Sequence, residues 1–129
     1  MTDGIAMARI IVIDDEADLR EVLRLMLESH GHEVDEAANG KEGLTALAAR
    51  KYDLVITDVL MPEEDGVTIA KRVPGMQPEA RVLAISGGGP TMPADWSLKM
   101  MKMFGVDAAL QKPFEEEELI GAVDRLLAR

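Results

Sequence analysis

Along the chain, short continuous apolar runs alternate with segments in which apolar residues recur every three or four positions. The first pattern marks buried strands and the second marks helices lying against them. ARIIVID, starting at Ala8, reads as a strand. ADLREVLRLMLESHG then sets Leu19, Val22, Leu23, Met26 and Leu27 at helical spacing and stops at Gly31, a residue suited to a left-handed helix end. HEVDEAA alternates weakly, which predicts a strand near a sheet edge. In NGKEGLTALAARK, Asn39 is a good N-cap, and Leu44, Leu47 and Ala48 are expected to face inward. DLVITD carries Leu54, Val55 and Ile56 with no polar alternation, which predicts the centre of a parallel sheet, apolar on both faces. A short helix is expected from about Asp65 to Arg72, with Pro74 and Pro78 keeping it from running on. ARVLAIS is the fourth strand, GGGPTMP a loop, Ala94 to Phe104 a helix and AALQK a short fifth strand. EEEELIGAVDRLLAR is a last helix with Leu119, Ile120, Val123, Leu126 and Leu127 inward; its Glu115 to Glu118 run complements the positive end of that helix. Strand and helix alternate without repeat or linker, so the expected fold is α/β, a doubly wound parallel sheet of five strands in one domain.

The length of 129 residues agrees with one domain. Met1 to Met7 read as a lead-in, and the domain is expected from Ala8 to Arg129. A formal charge of -10 argues against nucleic-acid or anionic-membrane partners, which reward clustered Lys and Arg. There is no cysteine, so disulfides and thiolate metal sites are excluded. The start lacks the pattern of a signal peptide and no apolar run is long enough to span a bilayer, which makes the cytoplasm the expected compartment.

In open α/β sheets ligands bind beyond the carboxyl ends of the strands. Strand one ends in Asp14 and Asp15, strand three in Asp58, strand four in Ser86 and strand five in Lys112. Three converging carboxylates repel one another unless a cation intervenes, and a hard divalent ion such as Mg²⁺, or Mn²⁺, suits them. With Lys112 and the Ser86 hydroxyl, the set can bind a phosphoryl group, one carboxylate being the acceptor. Singly, each piece has a plainer reading: Asp14-Asp15 as a helix cap, Asp58 as a turn former, Gly87 to Gly89 as a flexible loop.

VIDDE on strand one, DVLMPEEDG after strand three, AISGG on strand four and LQKPF before the last helix resemble the receiver domain of two-component response regulators. The resemblance covers about Ala8 to Ala128 and implies a CheY-like, flavodoxin-like (βα)5 fold. By it, Asp58 matches the phospho-accepting aspartate, Asp14 and Asp15 the pair that holds Mg²⁺, Ser86 the switch hydroxyl and Lys112 the phosphoryl-contacting lysine. It also implies the Leu60 backbone carbonyl as a metal ligand and a cis Lys112-Pro113 bond. Thr57 and Gly87 flank the acceptor and the switch hydroxyl within the same motifs. The partners it implies are a sensor histidine kinase or phosphotransfer protein, a downstream protein target, and a second copy of the chain as a candidate. Self-catalysed phosphorylation and dephosphorylation of Asp58 is the only chemistry implied, so a signalling module rather than an enzyme is expected.

Two departures stand out. Ala109 replaces the aromatic residue usual on strand five of receivers resembling this one. The segment between Ser86 and Lys112 is long, so the Gly-rich loop and Trp96 are an alternative relay. Met100, Met101, Met103 and Phe104 crowd more than one face of the helix that follows, as core or as an adaptable partner surface. The sequence ends just after the last helix, which makes a stand-alone receiver the expectation and a longer parent protein the alternative. Competing functions are a degenerate receiver that binds partners without phosphorylation and an Asp-based small-molecule phosphatase. The latter pattern wants an Asp where Leu60 stands. A P-loop is disfavoured, since no Lys-Ser/Thr follows the glycines.

Overall fold

A computed structural model describes residues 7–58, 65–86, 99 and 105–128. In chain order these form β1 (Arg9–Ile13), α1 (Ala17–Ser29), β2 (Glu33–Ala37), α2 (Gly40–Ala49), β3 (Leu54–Asp58), α3 (Asp65–Met76), β4 (Arg81–Ser86), β5 (Ala108–Gln111) and α4 (Glu116–Leu127). The expected GGGPTMP loop, and the Ala94 to Phe104 helix apart from Lys99, lie outside the described residues, as do Leu60, Gly87 and Trp96. All strand pairings are parallel, in the order β2-β1-β3-β4-β5, so every strand points its carboxyl end to the same edge.

β3 is central and buried throughout, as its unbroken apolar run predicts, whereas β2 and β5 lie at the edges. Alternation along each strand sorts the core into two layers. Ile10, Val12, Leu54, Ile56, Leu83 and Ile85 pack with Leu23 and Leu27 of α1 and Leu119 and Val123 of α4. Ile11, Ile13, Val55, Val82 and Ala84 pack with Leu47 of α2 and Ile69 and Val73 of α3. Among the described residues no helix is long and apolar enough to cross a membrane.

Three local expectations change. Val22, set at helical spacing with Leu23 and Leu27, is 44% exposed, because those two leucines centre the buried stripe of α1 and leave Val22 on its flank. Ala48 is likewise exposed: α2 buries Gly40, Gly43 and Leu47 instead, so its contact stripe runs along the glycines. Helix α3 does not stop at Arg72 but continues through Pro74 to Met76. Pro74 sits in the last turn, where it removes a single backbone hydrogen bond. Burial of Val73, packing of Met76 on the core and a 2.7 Å bond from the Gln77 N–H to the Val73 carbonyl offset that loss.

Asn39 does cap α2, its side chain accepting from the Glu42 N–H at 2.9 Å. Gly43 lets the next turn approach the sheet, since a Cβ there would lie 2.7 Å from Ile13 Cδ1 and 3.2 Å from its Cγ1. Gly43→Ala is therefore expected to destabilise the protein by about 1–2 kcal/mol, overpacking outweighing a helix-propensity gain of about 1 kcal/mol. In an Ile13→Val background, which removes Cδ1, the same change is expected to be neutral or stabilising in urea denaturation. Equal losses in the two backgrounds would exonerate Ile13.

Candidate functional site

Because the strands are parallel, residues far apart in the chain meet at one edge. Asp14 follows β1, its N–H donating to the Ala37 carbonyl of β2 at 3.1 Å, and its residue is only 1% exposed. Asp58 is the last residue of β3 and is buried. Lys112 follows β5, held against β4 by a 2.8 Å bond from its N–H to the Ser86 carbonyl. Its peptide to Pro113 is cis. The Lys112 ammonium reaches three carboxylates, donating to Glu16 Oε1 at 2.9 Å, Asp58 Oδ2 at 3.0 Å and Asp14 Oδ2 at 3.5 Å.

Glu16 is the residue that sequence reasoning missed. It stands in the VIDDE motif but was passed over for the adjacent acidic pair. The turn after β1 explains the outcome: Asp14 Oδ1 accepts the Glu16 N–H at 2.8 Å, and Glu16 then occupies the N-cap position of α1 beside Lys112. Asp15 is exposed. Asp14, Glu16 and Asp58 bring carboxylate oxygens within 4.8 Å of one another. Thr57 is buried, its hydroxyl donating to the Asp58 carbonyl at 3.3 Å. Ser86 is buried too, and its Oγ has no hydrogen-bond partner among the described residues.

Burial pushes the Asp14 carboxyl up to about 6, helped by the charges of Asp58 and Glu16 and opposed by the Glu16 N–H and Lys112. Burial alone would lower Lys112, but its hydrogen bonds to Glu16 and Asp58 and the charges of Asp58 and Asp14 raise it on balance. It stays an ammonium ion at neutral pH. The all-oxygen, acidic donor set fits a hard divalent cation such as Mg²⁺, and the orphaned Ser86 hydroxyl fits a further acceptor oxygen entering beside it.

A carboxyl raised in the folded state contributes stability below its ordinary pKa of 3.8 and loses it as pH rises through about 6. Without divalent cations, Asp14→Asn is therefore expected to be more stable than the unsubstituted protein above that window, on the order of 1–3 kcal/mol. The gain should vanish near pH 4. Melts in chelator across this range check it, and a pH-independent difference would place the cause elsewhere.

The response regulator receiver domain family model matches residues 10–124. The chain is 30% identical to the transcriptional regulatory protein DltR of Streptococcus agalactiae over 115 residues, covering 89% of this chain and 50% of that protein. It thus spans about half the length of that curated relative. A response regulator receiver domain protein from Clostridium thermocellum has a solved structure that is 30% identical, with a TM-score of 0.81 and 94% of each chain covered. The chemotaxis response regulator CheY4 of Vibrio cholerae is 28% identical, with a TM-score of 0.80 and coverage of 94% of this chain and 99% of that one. With the match running from β1 into the last helix, the chain belongs to the response regulator receiver domain family, the CheY-like modules of two-component systems.

Proposed function

We propose that this receiver accepts a phosphoryl group on Asp58 from a phosphohistidine of a sensor kinase or phosphotransfer protein, and that the modification switches a protein-binding surface. The observation that carries this reading is the meeting of Asp58 with the Lys112 ammonium at 3.0 Å, one strand from the buried Ser86 hydroxyl, which has no partner among the described residues. A carboxylate oxygen of Asp58 attacks phosphorus, and the bond from phosphorus to the donor breaks with its electron pair leaving on the donor. The product is an acyl phosphate. Lys112 holds one phosphoryl oxygen and Ser86 donates to another, both stabilising charge where it develops. Asp14, Asp15, Asp58 and the Leu60 carbonyl would hold Mg²⁺ or Mn²⁺, with Glu16 nearby. The ion supplies charge neutralisation of the phosphoryl oxygens when bound. In-line attack by water on phosphorus later regenerates the carboxylate and releases inorganic phosphate.

Replacing the Asp58 carboxylate by an acyl phosphate carrying about two negative charges draws Ser86 toward the phosphoryl oxygens and biases the end of β4. Ala109, half-buried against the α2/α3 core layer, offers no aromatic ring to follow that movement, so we assign the relay to the Gly-rich segment and Trp96. The charge of -10 favours a protein rather than nucleic acid as the direct contact. A constitutive interaction module is the second reading, favoured by Ala109 alone.

The test is incubation with acetyl phosphate and Mg²⁺, followed by intact mass and Trp96 fluorescence. One added phosphoryl group, absent without Mg²⁺, and a fluorescence change are expected. No adduct, together with no response to beryllofluoride, would overturn the reading in favour of the constitutive module.

A further inference from the structure

We infer that Glu16 is the counter-ion that Lys112 must release before it can hold a phosphoryl oxygen, so that Glu16 sets how readily Asp58 is phosphorylated. This rests on the proposed function. An ammonium group has three N–H donors, and in this site each meets a different carboxylate: Glu16 at 2.9 Å, Asp58 at 3.0 Å and Asp14 at 3.5 Å. None is left for an incoming phosphoryl group.

One partner therefore has to go, and burial decides which. Releasing Asp14 or Asp58, whose side chains are 1% and 5% exposed, returns neither carboxylate to water. The Glu16 side chain is 62% exposed and regains water as it leaves. Until then its carboxylate lies within 4.8 Å of those of Asp14 and Asp58, where it also repels an approaching phosphoryl dianion. In the transfer from acetyl phosphate, an Asp58 oxygen bonds to phosphorus and acetate departs with the electron pair of the broken bond. The released Lys112 N–H turns to a phosphoryl oxygen in the same step.

Glu16→Gln keeps the backbone N–H bonded to Asp14 and removes only the charge. Uptake from acetyl phosphate is expected to speed up by about twofold to fivefold, the range for one partly exposed charge pair, and the gain should shrink with added salt. Glu33→Gln serves as the control for net charge. It removes one negative charge at the opposite end of the sheet, where Glu33 pairs with Arg9 at 3.2 Å, and is expected to leave the rate unchanged. Calorimetry with Mg²⁺ alone separates the competing role: slower uptake with Mg²⁺ affinity lowered tenfold or more would make Glu16 a metal-holding residue and overturn the inference. An unchanged rate in Glu16→Gln, with normal uptake by the unsubstituted chain, would overturn it while leaving the proposed function standing. No uptake by the unsubstituted chain would overturn both.

Discussion

Asp58→Asn is expected to take up no phosphoryl group from acetyl phosphate under conditions that fully modify the unsubstituted protein. The amide that replaces the carboxylate has no anionic oxygen to attack phosphorus and cannot form an acyl phosphate. The substitution is nearly isosteric, and it removes one of three carboxylates crowded within 4.8 Å, so loss of fold cannot account for loss of uptake. Thermal melts beside the mass measurement check this, since the variant should melt no lower than the parent. Lys112→Ala is expected to slow uptake by about a hundredfold or more, the range seen when one donor aimed at developing charge is removed. On the proposed mechanism the two variants remove different groups from one transfer: one deletes the nucleophile, the other the cation that stabilises the charge it develops. Full uptake by Asp58→Asn would move the acceptor to another carboxylate, and peptide mapping would locate it.

Gln77→Ala is expected to cost about 3 kcal/mol of stability. Gln77 is 8% exposed and joins three backbone groups near the amino ends of the strands. Its Oε1 accepts the Tyr52 N–H at 2.8 Å, and its Nε2 donates to the carbonyls of Leu47 at 2.8 Å and Arg50 at 2.7 Å. The side chain thus ties the end of α3 to the end of α2 and to the chain entering β3. Truncation leaves up to three polar groups without partners, each costing about 1–3 kcal/mol if no water reaches it. Gln77→Glu should also destabilise, because it sets a carboxylate against two carbonyl oxygens. Urea denaturation measures both variants. A loss below about 1 kcal/mol for Gln77→Ala would show that water or local relaxation satisfies these groups. The proposed phosphoryl site lies at the carboxyl ends of the strands, so uptake by the folded fraction should be unchanged.

The residues that carry these two expectations differ in how visible they were from the sequence. Asp58 was the most legible: a short apolar run with no polar alternation reads as a strand buried on both faces, and a carboxylate closing it belongs at the strand's exit. Lys112 and Ser86 followed from the same reasoning. Gln77 gave no such sign, being a polar residue between Met76 and Pro78 in what reads as a loop. Its three partners lie 25 to 30 residues earlier in the chain.

Hydrophobic rhythm, capping residues and turn formers act within a few residues of one another, so the sequence by itself determined the kinds and order of the described elements, the central place of β3 and the sheet edge at which the candidate residues gather. Tertiary structure decided what depends on approach between distant segments. The glycines of α2 became its contact stripe because Ile13 fills the space a side chain would need. Pro74 was absorbed because packing on either side outweighed one lost hydrogen bond. Glu16 entered the site because the crossovers bring Lys112 to it from 96 positions away, a meeting that no local pattern encodes.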